Sequence, residues 1–122
     1  MEITPDVVVS LRADEVFVFG SNAAGQHGGG AARVAHERFG AVWGEGHGHH
    51  GQSYAIDTMS GLDVLTREAR AFIGFATEHP DLHVLLTPVG CGIAGYTPEQ
   101  VAVLFAGVPE NVAVPASFVP YL

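Results

Sequence analysis

The stretch Val16-Phe17-Val18-Phe19-Gly20-Ser21-Asn22-Ala23-Ala24-Gly25-Gln26-His27-Gly28-Gly29-Gly30-Ala31-Ala32 decides the fold. Its first four residues are apolar without alternation. That is the pattern of a strand covered on both faces, as in a parallel sheet. Gly20 ends the run and a glycine-rich loop follows. Ala31 to Phe39 then reads as a helix, with Ala31, Val34 and Ala35 on one face and Gly40 as its stop. A buried strand, a glycine loop and a helix in succession are the opening of a βα unit.

Reading outward toward the N-terminus, Thr4-Pro5-Asp6 is an N-cap followed by proline, so a short helix is expected over 5–11, with a turn at 12–14. Toward the C-terminus, residues 40–52 (GAVWGEGHGHHGQ) hold five glycines and three histidines and fit no regular element. Ser53-Tyr54-Ala55-Ile56 reads as a second strand. Ser60-Gly61-Leu62-Asp63 is a capping-box variant, and Leu65, Ala69, Phe72, Ile73 and Ala76 follow at helical spacing, which predicts a helix over 61–78. Leu82 to Thr87 is a third apolar strand. A second glycine loop spans 88–96. Thr97-Pro98-Glu99-Gln100 starts another helix, to about Ala106. Asn111 to Val114 is a last strand, and 115–122 a tail. The order α-β-α-β-α-β-α-β predicts one α/β domain over 1–122 with a largely parallel sheet.

The chain has 122 residues, 48% hydrophobic and 15% charged, which suits a packed core. Its net charge is −8, with five arginines and no lysine. Duplex nucleic acid and anionic membrane would meet repulsion over most of this surface. No apolar run reaches membrane-spanning length, and MEITPDVVVS lacks the layout of a signal peptide. The single cysteine, Cys91, excludes an internal disulfide framework. It fits a reducing, cytoplasmic setting. A homodimer is one way to cover apolar surface left by so short a chain.

Both glycine loops follow strand ends and lead to helix starts. In open α/β sheets, ligands bind outside the carboxyl ends of the strands. Glycine lets backbone amides approach a phosphate closely, and a helix N-terminus adds partial positive charge. Two such loops facing one crevice would let a lysine-free, acidic protein hold a pyrophosphate. The competing reading is that the glycines only make tight turns. The first loop is neither a GxxxxGK[ST] phosphate loop nor a GxGxxG dinucleotide fingerprint.

Val16–Ala32 resembles the macrodomain stretch in which a buried strand leads to an asparagine and a glycine triplet opening a helix. Ser53–Ser60 (SYAIDTMS) is similar to that family's second central strand, and Leu86–Leu104 (LTPVGCGIAGYTPEQVAVL) to its phosphate loop and following helix. The three segments occur in the family's order, and the likeness is greatest to short macro-like proteins of bacteria and phages that carry HGGGAA. The resemblance implies a three-layer α/β/α fold with a mostly parallel central sheet, shortened at the periphery. It implies a small-molecule ligand, ADP-ribose or a related nucleotide-diphosphate ribose, and no cofactor. In that family some members also hydrolyse an ADP-ribosyl linkage or a terminal phosphate. Carried over, Asn22 would bond the distal ribose and help place a reacting water. Gly28, Gly29 and Gly30, flanked by Ser21 and Ala31, would line the ribose and diphosphate. Val89, Gly90, Cys91, Gly92, Ile93, Ala94 and Gly95 would wrap the diphosphate, and Tyr96 would pack on the ribose. The family's Gly-Asp-Ile-Thr near the N-terminus has no match here.

Several residues keep two readings. Asn22 either caps a turn or holds the ligand. His27 is either a solvent-facing loop histidine or an acid, base or charge stabiliser beside the ribose. Asp57 either caps the next element or binds a hydroxyl and activates water. Cys91 is either a backbone contributor or a nucleophile. Trp43 is a core residue or a lid anchor. His47, His49 and His50, with Glu45 or His36, offer the ligand types of a metal site. A mobile lid over the ligand is the other reading of 44–51. A non-catalytic interaction module on a macro-like fold is the remaining alternative.

Overall fold

A computed structural model describes residues 2–122. A five-stranded sheet, ordered β2-β3-β1-β4-β5, forms its centre. Strand β1 (Glu15–Ser21) lies in the middle, parallel to β3 (Ser53–Asp57) on one side and to β4 (His83–Leu86) on the other. Strand β5 (Val112–Ala113) continues the parallel order beyond β4, while β2 (Gly48–His50) is an antiparallel edge beside β3. The fold is thus mixed α/β with a mostly parallel sheet.

The unalternating run of β1 is explained by what covers it. Phe17 and Phe19 face α1 (Gly30–Arg38), together with Ala32, Ala35 and Phe39. Val16 and Val18 face α2 (Leu62–Glu78) and α3 (Pro98–Ala102), together with Leu65, Phe72 and Val101. Both faces of the run Val16 to Phe19 are covered, so the run carries no polar residue. On α2, Leu65, Ala69, Phe72 and Ala76 are fully buried in one stripe. Burying Leu65 and Phe72 stabilises the fold by about 1.5–3 kcal/mol each.

Several local expectations are corrected by the structure. No helix forms over 5–11. Ile3 instead bridges Val114 in parallel, the Thr4 amide donates to the Val114 carbonyl (2.8 Å), and the Thr4 hydroxyl donates to the Leu86 carbonyl (2.7 Å). The hydroxyl expected to cap a helix is spent on the sheet, and three consecutive β-branched valines at 7–9 add little helix preference. The 40–52 segment contains β2, joined to β3 through Gly51 at φ +59°, a left-handed turn position. The capping box expected at Ser60-Gly61-Leu62-Asp63 does not form at α2. Its N-cap is Gly61, and the Ser60 hydroxyl donates to Asp57 instead. The last helix stops at Ala102 and tightens into a 3-10 turn over Val103–Phe105, and the expected tail is a second 3-10 segment, Ala116–Tyr121. Within α1 the buried residues are Ala32 and Ala35, whereas Ala31 is exposed.

At the opposite end of the sheet from the loops described below, His83 stands between two carboxylates. Its Nδ1 donates to Glu15 (2.8 Å) and its Nε2 to Glu2. Burial alone would lower the His83 pKa, but the bonds and charges of Glu2 and Glu15 outweigh it, and the net shift is upward. The Arg12 amide (2.8 Å) lowers Glu15 most, against its burial, and His83 adds to the lowering. A folded histidine pKa above the unfolded one gives stability that is complete below the ordinary value of about 6.5 and is lost as pH rises through the folded value. The lowered Glu15 pKa gives the reverse, a contribution lost as pH falls through its folded value. The melting difference between wild type and His83→Gln is therefore expected to be largest near about pH 5.5 and to shrink steadily toward about pH 9. A difference that grows with pH would contradict the ion pair.

Candidate functional site

Strand β1 leads to α1 on one face of the sheet, while its neighbour β4 leads to α3 on the other. Two adjacent strands whose continuations diverge leave a crevice at their carboxyl ends, the usual ligand position in open α/β sheets. Here that crevice is a cavity of about 990 Å³. This is at the upper end of the roughly 300–1,000 Å³ of ligand pockets. Its walls are the N-terminal segment 4–8, the β1 end at 20–22, the α1 start at 29–32, the second glycine loop at 87–90 and 92–94, residues 58 and 59, and 115–117.

The first loop is closed by its own asparagine. Asn22 Oδ1 accepts from the Gln26 amide (3.0 Å), and Nδ2 donates to the Gln26 carbonyl (3.1 Å). A primary amide has a second N–H and a second lone pair, so this staple leaves capacity toward the cavity that Asn22 lines. The loop rests on the segment 41–47. Gly44 N donates to the Gly25 carbonyl (2.9 Å). A β-carbon on Gly25 would meet Gly44 Cα at 2.8 Å, and one on Gly46 would overlap the Asn22 carbonyl. Backbones this close leave room for glycine only. The glycine-histidine segment therefore supports the Asn22 loop from behind. None of it lines the cavity, which corrects the expectation of a lid.

His27 lies in this support layer, 1% exposed, rather than in solvent. Its Nε2 is 2.9 Å from the Val42 carbonyl and its Nδ1 3.4 Å from Ser21 Oγ. The rings of Phe19, His36 and Trp43 surround it. It is not among the residues that line the cavity, but Ser21 in front of it is.

Gly28 and Gly29 are not turn residues in the conformational sense. Neither has a positive φ, and a β-carbon on either would meet nothing within 4 Å. Gly30, at φ +58°, does need glycine's freedom. Gly29 is the N-cap of α1, which has no side-chain cap and no acidic residue in its first turn among the described residues. The first-turn amides of a nine-residue helix thus open toward the cavity at Gly29, Gly30 and Ala31.

The second loop makes two successive turns, closed by Cys91 N to the Pro88 carbonyl (3.3 Å) and Gly95 N to the Gly92 carbonyl (3.0 Å). Among the described residues, the amides of Gly92, Ile93 and Ala94 find no partner. Successive free amides in a turn are the donor set that anion-binding concavities use. Gly92 has no positive φ and no neighbour for a β-carbon within 4 Å, and Ile93 is 93% exposed. The α3 start does not join them, contrary to expectation. Thr97 and Gln100 cap each other's backbone groups there (3.2 and 2.9 Å), and the helix end lies outside the cavity. Cys91 and Tyr96 turn toward the core, and neither they nor Gly28 and Gly95 line the cavity. Burial pushes the Cys91 thiol up, so it is protonated near neutral pH and a poor nucleophile.

Asp57 also lies outside. Its carboxylate accepts from the Met59 amide (3.0 Å) and the Ser60 hydroxyl (2.5 Å), holding the turn before α2. It borders a separate hollow of about 260 Å³ with His47 and Glu68. His49 packs on Phe75, and His50 bonds the His47 carbonyl. Among the described residues no group of three His, Cys, Asp or Glu side chains is placed to hold a metal.

The crevice floor includes three threonines that sequence reading passed over. Their hydroxyls donate to strand-end carbonyls, Thr4 to Leu86, Thr58 to Ser21 (3.2 Å) and Thr87 to Val18 (2.6 Å). Each carbonyl so occupied presents less negative potential to an incoming anion. The segment 4–8 was also missed, because long-range bonds of Ile3 and Thr4 to Val114 and Leu86 bring it over the crevice. It supplies Asp6, the single charged side chain in the lining among the described residues. Among the described residues no helix is long and apolar enough to cross a membrane. No protein-family model, curated protein or solved structure matches the chain.

Proposed function

We propose that the chain binds ADP-ribose, or a closely related nucleotide-diphosphate ribose, in the crevice between the two glycine loops. The observation that carries this reading is the pair Gly29 and Gly92. Both line the cavity, have no positive φ, and meet no protein atom within 4 Å where a β-carbon would stand. The chain's own packing gives no reason for glycine there, whereas close approach of a diphosphate to backbone amides does. Beside them lie the unspent amides of Gly92, Ile93 and Ala94 and the uncapped start of α1. Those dipoles would balance ligand charge in a lining that holds no arginine. The identity of the ligand rests on the macrodomain-like segments Val16–Ala32, Ser53–Ser60 and Leu86–Leu104.

In this reading Asn22 holds the distal ribose with the N–H and lone pair left free by its staple to Gln26. Should turnover accompany binding, it is hydrolysis at the distal ribose or a terminal phosphate, with the preorganised amides stabilising developing negative charge. His27 and Asp57 then act from outside the cavity by fixing the loops. Asn22→Ala is expected to weaken ADP-ribose binding about tenfold or more, the scale of one to two hydrogen bonds in a dry site. Isothermal titration of both proteins with ADP-ribose measures it. Equal affinities would remove Asn22 from the site.

A further inference from the structure

The inference concerns Ser21 and rests on the ADP-ribose reading for the ligand group it names. Ser21 ends β1, lines the cavity, and is backed by the buried His27. Two contacts behind it, His27 to Val42 and Ser21 to His27, bear on which way its hydroxyl points. His27 Nε2 lies 2.9 Å from the Val42 carbonyl. A carbonyl only accepts, so Nε2 carries the proton. In a neutral imidazole Nδ1 is then a bare acceptor. Ser21 Oγ, 3.4 Å from that nitrogen, is its hydrogen-bond partner and has one proton to give. Phe19 meets the ring edge-on with centroids 5.3 Å apart, and Trp43 meets it at 6.1 Å. Within 6.1 Å the one other titratable ring is His36, which bonds the Ala41 carbonyl, and no carboxylate bonds His27.

We propose that Ser21 is a specificity-determining residue whose hydroxyl, oriented by His27, faces the cavity as a hydrogen-bond acceptor alone. A group that donates a hydrogen bond is welcome at that point, and a phosphate oxygen is not. The site is thereby divided. Phosphates belong on the amides of Gly92 to Ala94 and the α1 start, and a sugar hydroxyl belongs on Ser21. Sequence reading placed Ser21 in the binding set through the family resemblance alone. Its polarity depends on Val42, a residue 21 positions along the chain that fixes the imidazole tautomer.

Two readouts test this on the full chain. Long-range nitrogen–proton NMR of ligand-free protein at pH 7.5 reports the His27 tautomer. The expected result is a protonated Nε2 and an unprotonated, hydrogen-bonded Nδ1 whose shift moves in Ser21→Ala. An Nδ1–H tautomer or an imidazolium overturns the proposal, whatever the protein binds. Calorimetric titration with ADP-ribose is the second readout. Ser21→Ala is expected to lose about tenfold in affinity, as one neutral hydrogen bond allows. Wild-type affinity in a folded Ser21→Ala protein overturns the ligand contact. If wild type itself fails to bind ADP-ribose, the ligand reading falls, while the tautomer measurement still decides the polarity of Ser21.

Discussion

A Gly46→Ala protein is expected to melt on the order of ten degrees below wild type, from an overpacking cost of about 3 kcal/mol, and to lose ADP-ribose binding with it. The cause is local. Gly46 is buried, and a β-carbon there would overlap the Asn22 carbonyl oxygen while standing 3.0 Å from its carbon. Backbone, unlike a flexible side chain, has nowhere to swing. Either 44–46 retreats, breaking the Gly44–Gly25 bond and exposing the His27 layer, or the Asn22 loop shifts into the cavity. The matching control is Gly74→Ala. Gly74 lies exposed inside α2 without a positive φ, and a β-carbon there meets nothing within 4 Å. That change should stabilise by about 0.5–1 kcal/mol. Scanning calorimetry on the pair separates a packing effect at Gly46 from a generic glycine effect. A Gly46→Ala protein as stable as wild type would mean that the two loops do not interlock.

The second large effect lies in binding with the fold kept. Gly29→Leu should abolish ADP-ribose binding, at least a hundredfold, while lowering stability by only about 1 kcal/mol for a poorer N-cap. Gly29 has an extended φ of −156° and ψ of 166°, which any residue adopts. Its missing side chain points into open space at the cavity wall. Leucine therefore costs the apo protein little but occupies volume that the ligand needs. Unchanged affinity in folded Gly29→Leu would place the ligand elsewhere. The two variants thus divide the glycines into those the chain needs for itself, Gly25 and Gly46, and those it leaves empty, Gly29 and Gly92.

That division was not legible in the sequence, where every glycine looks alike. What local pattern does carry is hydrophobic periodicity and punctuation. The run Val16 to Phe19 gave the central strand because two covering layers remove every polar residue from it. The Leu65–Ala76 stripe marked α2, and both glycine loops fell at the carboxyl edge as their positions after apolar strands require. Failures came where a distant backbone won. Thr4 would cap a helix in isolation, but Val114 and Leu86 take its amide and hydroxyl. Three residues, Gly48 to His50, are too few to show a period, and they form a strand because β3 offers an open edge. His27 and Asp57 each kept a ligand-facing reading beside a structural one, on sequence adjacency alone. Their partners, Val42 with Ser21 for one and Met59 with Ser60 for the other, are set by the folded loops. In the candidate crevice, Asn22, Gly29, Gly30, Gly90 and Gly92 fall in the lining and Gly28 and Gly95 do not, while the 4–8 wall and the threonine floor depended on sheet pairing.

The most direct measurement is a thermal-shift titration of the wild-type chain with ADP-ribose, with AMP and ribose 5-phosphate as controls. At about 100 times its dissociation constant a ligand adds about 2.7 kcal/mol, on the order of ten degrees for a domain of this size. A site that spans the diphosphate between the two loops should give that shift with ADP-ribose and little with either fragment. No shift up to millimolar ADP-ribose, or an equal shift with AMP, would contradict a diphosphate held between Gly29 and Gly92.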